Sequence, residues 1–442
     1  MFENQKIFIF GMAKSGYEIA KLLAPSNEII ITDNKEQNSD HIKELEKLGV
    51  KVFITNDQLE LLDDSFNYMI KNPGIKADNP VVLKAKEYGI KVINEIEASY
   101  NYLPNSTKII GVTGSNGKTT TTTMIYEILK EKYDNVYLGG NIGYPLAQIV
   151  KDIKENSILV MEISDHQLCD MYKFKTNISL LLNLVHAHID FHGSYERYME
   201  MKKRIFNNHT EEDIAILNYD NNDVMNLTKN IKSKKQYFSK NQKKNCYIEN
   251  NAIYYEDEEI VKLEEIKIKG MHNYENIMAA ILVLKIFDVE NELIKKYLSS
   301  FNGVEHRIEY VKELNGRVFY NDSKATNNAA TITALKTFKT PTILIMGGLD
   351  RKIPFDELKD YMENVKLIVC YGQTKDVLEE FAKKNNIKNI KVDNLKEAIV
   401  KAYENSEEKD TILFSPACAS WDQFDTFEQR GELFKKIVNE LC

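Results

Sequence analysis

From its N-terminus the chain alternates short apolar runs with stretches whose apolar residues return at helical spacing. KIFIF (Lys6–Phe10) passes through Gly11 and Gly16 into the helical pattern YEIAKLL, and then into EIIITD, which ends at Asp33. NYMIKNPGIK reads as a strand running into a Pro73-Gly74 turn, and IKVINEIE as a late strand. Strand-length runs separated by helical ones predict a doubly wound α/β sheet. A second block opens with KIIGV and the helix-like MIYEILKEK. It continues through YLGGNIGYPL, SILVMEISDHQL and ISLLLNLVHAHIDFH, apolar runs that end in polar residues, as strands do when their C-terminal ends face a site. From Asn226 to Lys269 a Lys- and Asn-rich stretch alternates as hairpins do, with its charges on a solvated face. A third block begins near Phe301 and shows four β-runs, in GRVFYNDSKATN, TPTILIMGGLDRK, VKLIVCYGQ and DTILFSPACASWDQFDTFEQRG.

Composition narrows what such a chain does. At 442 residues, 43% of them apolar, it has material for several cores; at about 150 residues per domain that means two to four domains. Lys and Arg number 58 against 66 Asp and Glu, a net charge of -8, which disfavours nucleic acid or an anionic membrane as partner. The cysteines, Cys169, Cys246, Cys370, Cys418 and Cys442, show no C-x-x-C spacing and fit reduced thiols. The first apolar run is too short for a signal segment, and nothing approaches the roughly 20 apolar residues of a membrane span. A monomeric cytoplasmic protein is expected.

Residues 113–123, TGSNGKTTTTT, sit between the strand-like KIIGV and the helix-like MIYEILKEK. A helix N-terminus has unpaired N–H groups and a dipole that favours anions, so it suits phosphate. Gly114 and Gly117 let the backbone wrap a polyphosphate, Lys118 reaches its outer oxygens, and the Thr119 hydroxyl can sit on Mg²⁺. The strict G-x-x-x-x-G-K-[ST] spacing is not met, because Val112 stands five residues before Gly117. The additional threonines, Thr120–Thr123, are poor helix formers and point to a first turn chosen for hydroxyls. Glu162, after SILVM, stands where a second Mg²⁺-holding carboxylate is expected, since an ATP site needs a cation to bridge the phosphates. In the first block, GMAKSG lacks the full dinucleotide fingerprint. Asp33 at the end of the second run leaves two readings open: a nucleotide-carrying ligand, or an ordinary βα turn capped by Ser15. HAHIDFH, His186–His192, is similar to the H-x-H-x-D-H signature of metallo-β-lactamase-fold hydrolases, but Phe191 separates Asp190 from His192 and breaks the spacing, so His186 and His192 read as ordinary polar residues and His188 keeps a metal role of another kind.

TGSNGKTT, GGNIG, AHIDFHGS, GMHNYENIMAA, the His306-Arg307 pair, NDSKATN and SPACASWDQFDTFEQRG together span the chain, and on them it resembles the Mur ligases. The last stretch is similar to the D-glutamate-adding branch, whereas the phosphate loop alone would also admit the L-alanine-, diamino-acid- and dipeptide-adding ligases or folylpolyglutamate synthase. The resemblance implies three α/β domains. These are a Rossmann-like UDP-substrate domain at 1–97, a central P-loop ATPase-type domain at 98–300 and a Rossmann-like amino-acid domain at 301–442. It implies an acyl-phosphate reaction with ATP, UDP-N-acetylmuramoyl-L-alanine and D-glutamate as substrates and two Mg²⁺ ions.

By the same resemblance Gly114, Ser115, Asn116, Gly117, Lys118, Thr119 and Thr120 cradle ATP phosphates. Asn273, Asn276, Arg307 and Asp322 serve its adenine, phosphate and ribose. Thr119, Glu162, His188 and Lys202 hold the cations, Lys202 as a carbamylated lysine, and Lys118, His188 and Lys202 are the catalytic set. Gly11, Met12, Lys14, Ser15, Asp33, Asn34 and Lys35 form the uridine-diphosphate pocket, and Asn141 meets the muramoyl group or phosphate. Lys324, Thr326, Arg351, Ser420 and Phe427 bind D-glutamate, with Lys352 an alternative to Arg351; two carboxylates on a substrate call for such donors. One departure stands out. Where the family carries E-[LV]-S-S-F-Q-L, this chain has EISDHQL, so Asp165 and His166 add a carboxylate and an imidazole beside the metal site.

Overall fold

The apolar runs become three separate sheets. The computed structural model describes residues 2–352 and 354–441, and divides into two compact units, Met1–Ser300 and Phe301–Cys442. The first sheet joins β1 (Lys6–Phe10), β2 (Glu28–Asp33), β3 (Lys51–Ile54), β4 (Tyr68–Lys71) and β5 (Lys91–Ile93), all parallel, in the order β3-β2-β1-β4-β5. Ile7, Phe8 and Ile9 are buried one after another, the unbroken apolar reading of a parallel strand covered on both faces. The order reverses between β1 and β4, and the Gly11 loop and the Asn72–Gly74 turn lie at that switch point.

The second sheet contains β6 (Lys108–Thr113), β7 (Val136–Gly140), β8 (Ile158–Glu162), β9 (Ile178–Leu181), β10 (Ile214–Asn218), β11 (Lys234–Ser239), β12 (Cys246–Glu249), β13 (Ala252–Tyr255) and β14 (Glu258–Lys262). Its order is β14-β13-β12-β11-β10-β9-β6-β8-β7. β6 is an interior strand, third from the β7 edge and flanked in parallel by β9 and β8, so the phosphate loop leaves a strand paired on both sides. The two sheets of this unit are locked together. The Glu97 carboxylate accepts from the backbone N–H groups of Tyr172, Lys173 and Phe174 at 3.0, 2.8 and 2.9 Å, and buried Lys71 meets Asp170 at 2.8 Å. One apolar core runs from Phe2 to Val224 through both.

The second unit carries β15 (Glu309–Leu314), β16 (Arg317–Asn321), β17 (Thr342–Gly347), β18 (Val365–Tyr371), β19 (Lys388–Lys391) and β20 (Thr411–Phe414), ordered β15-β16-β20-β17-β18-β19 with β15 antiparallel at the edge.

Four expectations change. NEIE, read as strand, begins the helix Glu95–Tyr100, because the Asn94 side chain accepts from Glu97 N–H at 2.9 Å and caps it. In the stretch read as hairpins, β11 pairs in parallel with β10, and antiparallel pairing starts only at β12 and β13. The third block gains β15 and β19, charged edge strands whose exposed faces blur an apolar signal. The helix Lys14–Leu23 starts after Ala13 with no side-chain cap, so Ser15 caps nothing.

Candidate active site

The phosphate loop is preformed. Gly117 has φ 83°, and a Cβ there would stand 2.1 Å from Asn276 Oδ1, so only glycine fits. Ser115 N–H donates to Asn183 O at 3.0 Å and Asn116 N–H to Asn183 Oδ1 at 2.9 Å. Ser115 Oγ also lies 2.6 Å from Tyr198 OH. Lys118 Nζ folds back onto the carbonyls of Gly114 and Ser115 at 2.9 and 3.0 Å, and Thr119 is buried in the first turn beside half-buried Thr120. Thr121 and Thr122 are fully buried, and their hydroxyls have no hydrogen-bond partner among the described residues; they fill the core behind the loop instead of offering hydroxyls to a ligand. Asn276 packs against Gly117, and Asn273 donates to Lys269 O at 2.9 Å.

Beside the loop, β8 ends in Glu162, 2% exposed. Its Oε1 accepts from Asn141 Nδ2 at 2.7 Å, while Oε2 has no partner among the described residues. An orphaned, buried carboxylate oxygen next to a phosphate loop fits a cation.

One turn later a four-residue helix, Asp165–Leu168, is held by a capping box in which Ser164 and Gln167 exchange hydrogen bonds. That cap presents Asp165 to partners from two other segments: His188 Nδ1 at 2.9 Å, His192 Nε2 at 2.7 Å and Lys202 Nζ at 3.2 Å, with its neighbour His166 Nδ1 at 3.3 Å. Burial alone would raise the Asp165 pKa, but the His188 hydrogen bond, the Lys202 charge and His192 outweigh it and hold the carboxyl far below its usual range. Lys202 is fully buried and also meets Thr113 Oγ1 at 3.1 Å; burial lowers its pKa against the pull of Asp165. Burial likewise pushes the His166 imidazole down to about 4.

These residues face the first sheet across a cavity of about 560 Å³. It is lined by Lys14 and Ser15 of the Gly11 loop, the Asn72-Pro73-Gly74 turn, Lys118, Asn141, the Ser164–Gln167 segment and His188. Gly11 has φ 102°, and Asp33 braces its loop by accepting from Met12 N–H at 2.7 Å and Lys35 N–H at 3.0 Å, with Asn34 exposed between. Lys14 Nζ lies 4.7 Å from the Tyr144 ring. Thus loops from six parallel strands of one unit converge on one space.

In the second unit Asp322 is buried. It accepts from Ser415 Oγ at 2.7 Å and Ile308 N–H at 3.2 Å, and burial raises its pKa to about 7. Arg307 N–H donates to Val304 O at 3.0 Å. Lys324 Nζ lies 5.7 Å from the Phe427 ring, and Arg351 is 5.0 Å from the Trp421 ring. Thr326 and Arg351 line one small pocket with Leu349 and Cys418, and Ser420 is buried beside it in sequence. Lys352 pairs with Asp350 at 2.6 Å.

Sequence reasoning set His186 and His192 aside as ordinary polar residues. His186 is exposed and stacks on Tyr195 with ring centroids 4.0 Å apart, but His192 is buried and belongs to the Asp165 cluster, and this corrects that reading. The hydrolase signature does not assemble: His186 lies outside the cluster, and the Asp190 side chain lies outside the described residues, as does Cys442. Tyr198, Thr113 and Asn183 were missed altogether. Arg430 was missed too; it is fully buried and donates to Ser323 Oγ and O at 3.1 and 2.8 Å. Only the tertiary contacts mark these residues.

Comparison with known proteins places this geometry in a family. The Mur ligase middle domain model matches residues 112–284, and the Mur ligase glutamate ligase domain model matches residues 306–418. The chain is 43% identical over 446 residues to the UDP-N-acetylmuramoylalanine--D-glutamate ligase of Geobacillus kaustophilus (strain HTA426), covering 100% of this chain and 98% of that one. The protein of the same name from Bacillus cereus (strain AH820) is 43% identical over 445 residues with the same coverage. The fold is shared with two solved structures from Thermotoga maritima. UDP-N-acetylmuramate-alanine ligase MurC has a TM-score of 0.60 at 18% identity, covering 99% of this chain and 100% of that chain. MurF ligase in complex with ADP has a TM-score of 0.57 at 19% identity, covering 99% and 96%. With a phosphate loop, an orphaned carboxylate and a whole-length likeness all in agreement, the chain belongs to the Mur ligase family, in its UDP-N-acetylmuramoylalanine--D-glutamate ligase branch.

Proposed function

We propose that the chain is the ATP-dependent ligase that joins D-glutamate to UDP-N-acetylmuramoyl-L-alanine in peptidoglycan precursor synthesis, acting as a monomer in the cytoplasm. The observation that carries this reading is the cavity where the phosphate-loop lysine, Asn141 and His188 face the Gly11 loop and the Pro73-Gly74 turn. A phosphoryl donor and a nucleotide-sugar carboxylate need to meet in such a space.

The γ-phosphoryl group passes from ATP to the alanyl carboxylate oxygen, releasing ADP. The amine nitrogen of D-glutamate then attacks the acyl carbon, loses a proton, and expels phosphate as the amide forms. Lys118, with the N–H groups of residues 114–120, is assigned to hold the transferring phosphoryl group and its growing charge. Gly11, Met12, Lys14, Ser15 and Asp33–Lys35 are assigned to the uridine diphosphate, and Asn141 to the muramoyl carboxylate or phosphate. Asn273, Asn276, Arg307 and Asp322 are assigned to the nucleoside of ATP, and Lys324, Thr326, Arg351, Ser420 and Phe427 to D-glutamate.

Thr119 and Glu162 are assigned to one Mg²⁺, a role the unpaired Glu162 Oε2 supports, and His188 and Lys202 to a second. Bound Mg²⁺ screens the phosphate oxygens and the carboxylate from one another. Carbamylation of Lys202 needs a neutral amine, which burial favours and the neighbouring Asp165 carboxylate opposes. The segments 1–97, 98–300 and 301–442 take the UDP substrate, ATP and the amino acid respectively.

Phosphate release from ATP with UDP-N-acetylmuramoyl-L-alanine tests the reading, with D-glutamate compared against L-glutamate, L-alanine and meso-diaminopimelate. Release is expected with D-glutamate alone. Release with another amino acid keeps the family and overturns the acceptor, and no release with any of them overturns the ligase reading.

A further inference from the structure

The second unit leaves its one indole in solvent. Trp421 is the only tryptophan of the chain, and at 64% it is the most exposed large apolar side chain among the described residues, although tryptophan ordinarily buries most of its surface. The backbone that carries it is fixed on both sides. The Ser420 carbonyl accepts from Gln423 N–H at 3.1 Å and Phe424 N–H at 2.9 Å, and the Asp422 carboxylate accepts from Gln373 N–H at 3.2 Å. Leu349 N–H ties the neighbouring loop to this turn by donating to Ala419 O at 2.9 Å.

What the ring meets is Arg351, whose guanidinium carbon lies 5.0 Å from its centroid. Among the described residues no carboxylate pairs with Arg351. Its neighbour Asp350 is taken by Lys352, through the backbone N–H at 2.8 Å and Nζ at 2.6 Å. A guanidinium held by a carboxylate commits its fork of N–H donors to it, whereas one held by an aromatic face keeps that fork for a ligand. The arrangement recurs at Lys324, whose Nζ lies 5.7 Å from the Phe427 ring. Two cations from two loops are thus backed by rings of one segment, residues 420–427, where Arg351 and Thr326 line a small pocket.

We propose that Trp421 is a positioning residue for the amino-acid substrate: its ring holds the Arg351 guanidinium beside that pocket with the N–H fork free to take a carboxylate of D-glutamate. This deepens the ligase reading given above and rests on it. Without the ring the guanidinium is loose before binding, and ordering it is charged against D-glutamate affinity, not against the chemistry at the acyl carbon.

The test varies D-glutamate at saturating ATP and UDP-N-acetylmuramoyl-L-alanine and follows phosphate release in the full-length protein and its Trp421 variants. Trp421→Ala and Trp421→Leu are each expected to raise the KM for D-glutamate about 2–5-fold without a matching change in kcat or in the KM for ATP, and Trp421→Phe is expected to restore most of the loss. In an Arg351→Ala background Trp421→Ala should add no further rise. The contact is also read without turnover, since the emission of the only tryptophan should become more open to acrylamide quenching in Arg351→Ala. A leucine that serves as well as phenylalanine, an equal rise in the Arg351→Ala background, or quenching that Arg351→Ala leaves as it was overturns the proposal. Wild-type release that depends on D-glutamate, with a KM that Trp421→Ala does not move, removes this inference alone. Wild-type protein with no D-glutamate-dependent release removes the ligase reading and this inference with it.

Discussion

The phosphate loop and the Asp165 cluster lie side by side in one unit and are built in opposite ways. The loop is contiguous: residues 114–119 make the turn, and Lys118 rests on two carbonyls of that same turn. Its charged group is held by uncharged carbonyls of the turn. The Asp165 cluster is assembled from segments 23 and 27 residues apart in its histidine contacts, and it encloses Lys202 completely. Its charges are part of the packing. A loop of the first kind can lose its charge and stay folded, whereas a cluster of the second kind cannot.

The largest expected effect probes that difference. Asp165→Ala leaves the Lys202 ammonium buried without its carboxylate, and denaturant titration of the metal-free protein should show a loss of about 3–5 kcal/mol. A loss under 1 kcal/mol would mean the cluster is no more structural than the loop. Lys118→Ala should lower kcat about 10²–10³-fold with an unchanged unfolding midpoint; a drop in the midpoint as large as that of Asp165→Ala would erase the contrast.

A third variant carries the comparison to the joint between the two sheets. Burial raises the Glu95 carboxyl from 4.5 to about 7, against hydrogen bonds from Ala147 N–H and Ser99. Because the folded value lies above the unfolded one, stability falls as pH rises from 4.5 to 7, and the full penalty remains above that. Glu95→Gln should therefore stabilise the protein by about 1–3 kcal/mol at pH 8 and by nothing at pH 4.5, and a pH-independent gain would refute the cause given. Smallest, Ser164→Ala removes the capping box that presents Asp165, at a cost of about 1 kcal/mol in the same denaturant titration; no change would mean the cluster holds its own helix in place.

Much of this was legible in order along the chain. Gly114, Gly117, Lys118 and Thr119 could be read because their chemistry depends on neighbours within six residues. The parallel strands could be read because burial on both faces leaves unbroken apolar runs. NEIE misled because a three-residue strand followed by a capped helix has too few positions to show either period. His192 misled because nothing local to HAHIDFH says which of its histidines turns inward.

The sequence by itself determined the elements, the phosphate loop and the family, since these are written in local spacing and in motifs that survive as strings. The tertiary structure alone decided that Asp165 is a hub, that His192 and not His186 joins it, that Glu162 keeps an oxygen unpaired among the described residues, and that six loops share one cavity. Those facts depend on which distant side chains are forced out of water together, and burial of that kind is settled only when the sheets close on each other.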